Sequence, residues 1–170
     1  DTEDTFDLSE QEHKMLMTKI NDIISEEDID GIILQDYNKG VLTESLIREV
    51  VELCNKNDIP VGVDPKKKNF LSYKNVTFFK PNLKELKEGI GTNTKNDEIE
   101  DIIQAADMLQ EKLKCRYIMT TLSERGVIIK DYDTDVFHHI PAHIRKIADV
   151  SGAGDTVLSV AILCLVCQQD

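Results

Sequence analysis

Short apolar segments alternate with longer segments of helical periodicity along most of the chain. The apolar segments span residues 31–34, 59–63, 76–79, 117–120 and 127–129. An unbroken apolar strand such as 31–34 is typical of a parallel sheet that is covered on both faces. Strands and helices that alternate in this way predict an α/β fold. We expect a three-layer α/β/α sandwich with a mostly parallel sheet and one antiparallel strand over 135–140.

Capping side chains mark where the helices begin. They are Ser9, with Glu12 as its capping-box partner, Thr43 and Asn82. The helix that starts at Asn82 is expected to run through Leu86, and the turn-forming residues 89–96 predict a loop. A long helix over 99–113 and a last helix after Gly154 follow. Nothing resembles a linker or a repeat, so residues 1–170 are predicted to form a single core.

Composition excludes several classes of protein. The 20 basic and 32 acidic residues give a net charge of −12, and this field repels nucleic-acid phosphates. The apolar run 157–167 is too short to span a bilayer, so we expect no membrane partner. The four cysteines, at 54, 115, 164 and 167, are predicted to be packed free thiols. The chain opens without Met and without a signal-peptide pattern, which predicts a missing preceding segment and a cytoplasmic location.

The segment 149–156, Asp-Val-Ser-Gly-Ala-Gly-Asp-Thr, carries the clearest chemical signal. Gly152, Ala153 and Gly154 leave backbone N–H groups open where a helix begins, which favours anion binding. Asp155 lies in the first turn, where a carboxylate can act as general base toward a hydroxyl that attacks a phosphoryl group. The alternative is an ordinary helix start with a first-turn aspartate. The chain contains neither a P-loop nor a Rossmann glycine fingerprint.

This segment resembles the second signature of the ribokinase (PfkB) family of carbohydrate kinases. Residues 80–85, Lys-Pro-Asn-Leu-Lys-Glu, resemble the N-x-x-E element of that family. Residues 121–126 resemble its T-x-G-x-x-G nucleotide turn, with Ser123 in place of the first glycine. Matches at 36–40, 64–66 and 140–142 are most similar to bacterial D-glycero-β-D-manno-heptose-7-phosphate kinases. In the first of these, Asn38 replaces a glycine, and asparagine tolerates the left-handed conformation well.

The resemblance implies a role for each matching residue. Asp155 is the general base, and Gly152, Ala153 and Gly154 bind the γ-phosphoryl group. Nucleotide binding is assigned to Asn82, Leu83, Lys84, Glu85, Thr121 and Gly126. Asn82 and Glu85 hold Mg²⁺ through water, and Asp149 and Ser151 support a monovalent cation such as K⁺. The implied cofactors are therefore ATP, Mg²⁺ and K⁺.

The resemblance also sets the expected function. It is ATP-dependent phosphorylation of a sugar or sugar phosphate, with heptose 7-phosphate of the lipopolysaccharide core pathway as the expected acceptor. Ribose, fructose or a fructose phosphate is an alternative acceptor, and a nucleotide-binding or assembly module without turnover is an alternative of another class. Family kinases carry a Gly-Gly sugar motif and a dimer-forming lid ahead of the matched region, so the full-length enzyme is expected to be a homodimer.

Two further clusters have competing interpretations. The lysine run 66–68 is either a phosphate-attracting loop, with Lys66 the favoured contact, or a solvated loop. His138, His139 and His143 are interpreted as surface strand residues rather than a metal site, because no carboxylate cluster lies near them in sequence.

Overall fold

The computed structural model describes residues 5–92, 98–142 and 152–167. In chain order the elements are α1 (Glu10–Glu26), β1 (Ile32–Gln35), α2 (Glu44–Lys56), β2 (Val61–Asp64), β3 (Phe78–Phe79), α3 (Leu83–Ile90), α4 (Ile99–Leu113), β4 (Tyr117–Thr121), β5 (Val127–Asp131), β6 (Val136–Ile140) and α5 (Ala153–Val166). Short 3₁₀ turns at Lys67–Asn69 and Ser123–Arg125 follow β2 and β4.

The strands form one mixed sheet in the order β1-β2-β3-β4-β5-β6. Strands β1 to β4 are parallel, while β5 is antiparallel to β4 and β6 is antiparallel to β5. The predicted α/β class and the antiparallel final strand are confirmed. Because four neighbouring strands are parallel, their carboxyl ends meet at one edge of the sheet, where ligands of such folds bind.

The side chains of the strands alternate between two apolar layers. Val61, Val63, Phe79 and Ile118 belong to the larger core, which α2, α3 and α4 cover. Phe78 and Met119 point to the other face and pack with Leu158 and Ile162 of α5. Helix α5 approaches the sheet closely at Gly62, where a β-carbon would lie only 2.5 Å from the Ile162 side chain. This alternation decides which residues at the strand ends face α5.

Side-chain caps begin three helices as predicted. The Ser9 and Asn82 side chains each close a capping box, with Glu12 and Glu85 as partners. Thr43 accepts a hydrogen bond from the Leu46 N–H at the start of α2. None of the described helices is both long enough and apolar enough to cross a membrane.

The predicted loop over 89–96 is wrong at its start, because Gly89 and Ile90 form the last turn of α3. Glycine is tolerated there because the Phe70 ring packs against it, and a β-carbon on Gly89 would lie 2.0 Å from that ring. The chain leaves the helix at Gly91, whose φ of 72° is left-handed. Residues 93–97 of the predicted loop lie outside the described part.

The expectation that the first strand is covered on both faces holds only in part, because α5 packs against β1 without burying all of it. β1 is the outer strand of the sheet, and its Ile33 side chain remains 39% exposed. The cysteines, all within the described ranges, form no disulfide with one another, which agrees with the prediction. They are not all packed, because Cys54 and Cys115 are buried, Cys164 is half-buried and Cys167 is exposed.

Candidate active site

Three polar side chains meet on the α5 face of the sheet at the carboxyl ends of β1, β2 and β3. Strand alternation brings them there, since Asp64 shares the face of Gly62, and Lys80 shares that of Phe78. Lys80 Nζ lies 3.1 Å from Asp64 Oδ2 in an ion pair whose two side chains are both buried. Gln35 Nε2 donates to the same Asp64 oxygen at 2.8 Å. The sheet edge therefore holds a buried, paired ammonium group.

The first turn of α5 lies directly above this ion pair. A β-carbon built on Gly154 would lie 3.3 Å from Lys80 Nζ and 3.6 Å from Asp64 Oδ2. Gly152 is the N-cap residue, with φ of 75°, and Asp155 is the acidic residue of the first turn. The open N–H groups at this end of α5 carry the positive end of the helix dipole. The residues predicted to bind the γ-phosphoryl group thus lie together beside a lysine.

Asp155 is hydrogen-bonded to Tyr37, a residue of the loop after β1. The Tyr37 hydroxyl donates to Asp155 Oδ2 at 3.2 Å. Partial desolvation and the charge of Asp155 raise the pKa of Tyr37, which keeps its hydroxyl protonated as a donor. This hydrogen bond marks a position from which a hydroxyl group can reach the Asp155 carboxylate.

The loop after β1 is held by the buried carboxylate of Asp36. Asp36 Oδ2 accepts from the Tyr73 hydroxyl at 2.7 Å, and its Oδ1 accepts from the Asn38 N–H at 2.7 Å. Burial, with the nearby Asp36 charge, raises the pKa of Tyr73 far above its ordinary range. Asn38 has φ of 55°, as expected for a residue in a glycine position. Tyr37 is therefore carried toward Asp155 by an anchored loop.

Asn82 and Glu85 form the start of α3 at the same edge of the sheet. Glu85 Oε2 accepts from the Asn82 N–H at 2.9 Å, while Asn82 Oδ1 accepts from the Glu85 N–H at 2.8 Å. The other carboxylate oxygen, Oε1, lies 2.9 Å from Lys66 Nζ. Desolvation lowers the pKa of Lys66, but the hydrogen bond and charge of Glu85 outweigh it, so the pKa is raised. Lys66, the favoured lysine of its run, thus reaches the site.

Helix α3 and the turn after β4 enclose an open groove of about 560 Å³. Of the predicted nucleotide-binding residues, Asn82, Leu83, Lys84 and Thr121 line it. Glu85 pairs with Lys66 instead. Gly126 ends the Ser123–Arg125 turn and does not line the groove. Ser123, which replaces the usual first glycine of this turn, adopts φ of 55°, so the left-handed geometry is kept.

Magnesium fits this edge only through its water shell. Among the described residues, no three His, Cys, Asp or Glu side chains cluster closely enough to hold a metal. Glu85 and the Asn82 amide offer oxygen atoms, and Mg²⁺ commonly keeps waters while it binds one carboxylate and substrate phosphates. Asp149, Ser151 and His143 lie outside the described residues. His138 and His139 are exposed on β6, as predicted.

Sequence reasoning missed Lys80, Gln35 and Tyr73 as residues of this site. The sequence could have indicated Lys80 and Gln35, because period-two alternation from Phe78 and from Ile33 places them on the α5 face of the sheet. No such pattern indicated Tyr73, since its contact with Asp36 depends on how the 3₁₀ turn at Lys67–Asn69 returns the chain to the core.

Comparisons with known proteins identify the family of the chain. The family model described as pfkB family carbohydrate kinase matches residues 5–170. The bifunctional protein HldE of Campylobacter fetus subsp. fetus is 39% identical over 150 residues, which cover 88% of this chain and 31% of that protein. HldE of Aliarcobacter butzleri is 36% identical over 94% of this chain and 32% of its own length. The chain thus spans about a third of these relatives.

Solved structures show the same fold at low sequence identity. Escherichia coli phosphofructokinase-2 in complex with potassium has a TM-score of 0.81 at 18% identity, over 96% of this chain and 52% of that one. Arabidopsis thaliana ribokinase complexed with ribose and ATP has a TM-score of 0.68 at 19% identity, over 96% of this chain and 48% of that one. With the family model matched over nearly its whole length, the chain belongs to the pfkB family of carbohydrate kinases.

Proposed function

We propose that this chain is the phosphoryl-transfer core of an ATP-dependent sugar kinase. The observation that carries the proposal is the first turn of α5, where open backbone N–H groups and the Asp155 carboxylate lie beside a buried lysine. An anion site and a base within one helical turn suit attack by a hydroxyl on a phosphoryl group.

In the proposed reaction Asp155 accepts the proton of the acceptor hydroxyl. The resulting oxygen forms a bond to the γ-phosphorus while the bond from that phosphorus to the bridging oxygen of ADP breaks. The N–H groups at Gly152 to Gly154 donate to the equatorial phosphoryl oxygens as charge develops on them. Bound Mg²⁺ would neutralise charge on the β- and γ-phosphates. Asn82 and Glu85 would orient its waters, and Asp149 and Ser151 would support a monovalent cation such as K⁺.

The nucleotide is proposed to lie in the groove between α3 and the 121–126 turn. This groove opens beside Asn82 and Thr121, which a parallel β-bridge joins. Its lining carries the basic side chains of Lys84, Lys87 and Arg125 against the carboxylates of Glu88 and Glu124, so basic groups outnumber acidic ones there. A cytoplasmic location follows from the need for ATP.

For the acceptor, we propose D-glycero-D-manno-heptose 7-phosphate. The matches at 36–40, 64–66 and 140–142 favour it, as do relatives that carry the name HldE. The first two of these segments lie at the site through Tyr37, Asp64 and Lys66. A homodimer is proposed for the full-length enzyme.

The proposal is tested with Asp155→Asn in the full-length protein that contains this chain. Because asparagine keeps the shape of the side chain but lacks its basicity and its charge, turnover should fall by about 10²–10⁴-fold while ATP affinity stays within a few-fold. ADP release with heptose 7-phosphate, ribose and fructose 6-phosphate measures turnover and ranks the acceptors.

Asp101→Asn is the matched control, because Asp101 is the first-turn aspartate of α4, outside the site. It should leave turnover unchanged. If Asp155→Asn turns over within a few-fold of the wild type, Asp155 is not the base. If the wild type binds ATP but phosphorylates no sugar, a binding module without turnover replaces the kinase.

A further inference from the structure

Lys80 is an unusual lysine because it is almost completely buried. Its side chain is 4% exposed, and the Lys80 N–H is fixed to the Val63 carbonyl oxygen at 2.9 Å as the chain leaves β3. Removing an ammonium group from water is costly unless the charge is paired and hydrogen-bonded. The fold meets that cost with Asp64, itself buried. Replacing such a pair with apolar side chains is often neutral or stabilising, so stability alone gives little reason for it.

The Asp64 carboxylate is fixed from several directions. Oδ2 accepts from Gln35 Nε2 and forms an ion pair with Lys80 Nζ, and Oδ1 lies 3.9 Å from Lys66 Nζ. Asp64 also belongs to β2 and is therefore part of the rigid sheet. An ammonium has three N–H donors, and the ion pair with Asp64 Oδ2 can engage at most one of them. The arrangement holds Lys80 Nζ in place and leaves it donors for a second acceptor.

The position of Lys80 Nζ indicates what that acceptor is. It lies beneath the first turn of α5, where a β-carbon on Gly154 would be 3.3 Å away, closer than an ordinary contact. A larger residue at 154 would come between the ammonium and the open end of the helix. The side chains around the site include the carboxylates of Asp36, Asp64, Glu85 and Asp155. Partial charges at a helix end are weak compensation for a phosphate among four carboxylates.

We propose that Lys80 Nζ donates a hydrogen bond to the phosphoryl group that is transferred, and that Asp64 and Gln35 act as positioning residues for it. This inference rests on the proposed function. The ammonium keeps all of its protons throughout, while Asp155 takes the proton of the acceptor. Lys80 thus contributes a full positive charge on the sheet side of the phosphoryl group, opposite the backbone N–H groups of α5.

The experiment compares the affinities of ATP, ADP and AMP in the full-length protein, measured by calorimetry. Lys80→Met should weaken ATP binding about tenfold or more, the scale of one lost charge-assisted hydrogen bond, while AMP affinity is unchanged. Lys80→Arg should restore part of the preference for ATP, since it keeps the charge. Turnover should fall more than ATP affinity, because charge on the phosphoryl oxygens grows during transfer.

Lys130→Met is the matched control. Lys130 is also a largely buried lysine in ion pairs, with Asp107 and Asp135, but it lies on β5 away from the site. It should change thermal stability without changing the ratio of ATP to AMP affinity. The double variant Asp64→Asn with Lys80→Met removes both buried charges, so it keeps a folded protein in which the ammonium is absent.

The outcomes separate this inference from the proposed function. If the wild type binds ATP and turns over, and the Lys80 variants keep the wild-type ratio of ATP to AMP affinity, the role of Lys80 is overturned while the kinase stands. If Lys80→Met weakens ATP and AMP binding equally, Lys80 is a structural residue and the inference also fails. If the wild type neither binds ATP nor turns over, the proposed function itself fails.

Discussion

Glu85 is bound by the protein through both of its carboxylate oxygens. Oε2 caps α3 at the Asn82 N–H, and Oε1 pairs with Lys66 Nζ. Each oxygen has a second lone pair, so a metal-bound water can still donate to it. A hydrated metal ion bound at Glu85 would therefore lie next to the Lys66 ammonium, which already pairs with this carboxylate.

We predict that Glu85→Gln raises the Mg²⁺ concentration needed for half-maximal turnover by about 10–100-fold, the usual cost of losing an outer-shell partner. Glutamine keeps the capping box, because its carbonyl oxygen can accept from the Asn82 N–H. The folded state is then preserved while the charge toward metal waters is lost. Titration of Mg²⁺ at saturating ATP measures the effect.

Glu12→Gln is the control for this substitution. Glu12 closes a capping box of the same kind with Ser9 at the start of α1, on an exposed surface away from the site. It should leave the Mg²⁺ requirement untouched. An unchanged Mg²⁺ dependence together with a raised KM for the sugar would assign Glu85 to the acceptor instead.

At the scale of elements, the turn between β4 and β5 depends on Gly126. Its φ is 91°, and a β-carbon there would lie 1.9 Å from the Ile140 carbonyl oxygen. The Leu122 N–H donates to the Gly126 carbonyl oxygen at 2.8 Å, which closes the turn. Residues 122–125 of this turn line the proposed nucleotide groove.

Gly126→Ala should therefore lower both stability and ATP affinity. The matched variant is Gly91→Ala, because Gly91 has φ of 72° and no atom of the described residues lies within 4 Å of the added β-carbon. Gly91→Ala should cost about 1 kcal/mol from backbone conformation alone. Gly126→Ala should cost about 2–4 kcal/mol, since a steric clash is added to that penalty. Urea unfolding and ATP titration measure the two effects, and equal costs would contradict the packing of the turn against β6.

Patterns of residues close in sequence predicted most helices and strands correctly. They failed where a contact with a residue distant in sequence determines the structure. The caps at Ser9, Thr43 and Asn82 act on backbone groups three residues away, so the sequence contains the whole interaction. The last turn of α3 depends on Gly89 fitting the Phe70 ring, which lies outside any local window. The exposure of Ile33 depends on β1 being an outer strand, and strand order is not a local property.

The candidate site is a property of the whole molecule. Residues matched to family motifs, such as Asp155 and Asn82, could be named from sequence because each motif is short and contiguous. The contact between Tyr37 and Asp155 joins residues 118 positions apart, and no spacing rule predicts it. Alternation places Lys80 on one face of the sheet, but its position in the site depends on α5 covering that face, which no local pattern sets.

The core also couples the stability of the whole molecule to pH. Burial raises the pKa of the Cys54 thiol to about 11 and that of Cys115 to about 12, against an ordinary value of 9.0. Above about pH 9 these thiols ionise in the unfolded chain but stay protonated in the folded one. The unfolded state then binds fewer protons, so the free energy of unfolding falls as pH rises. Burial also raises the pKa of Tyr73 and Tyr132, which acts in the same direction.

We predict that Cys54→Val makes this alkaline loss of stability shallower. Valine is similar in size and does not ionise, so one contribution of about 1.4 kcal/mol per pH unit disappears between about pH 9 and about pH 11. Urea unfolding across that range measures the slope of the free energy of unfolding against pH. Cys167→Ser is the control, because Cys167 is exposed and lies outside the core, so its replacement should leave the slope unchanged. Identical slopes for Cys54→Val and the wild type would mean that the Cys54 thiol ionises within the folded protein. That result would contradict the burial of Cys54 between α2 and the sheet.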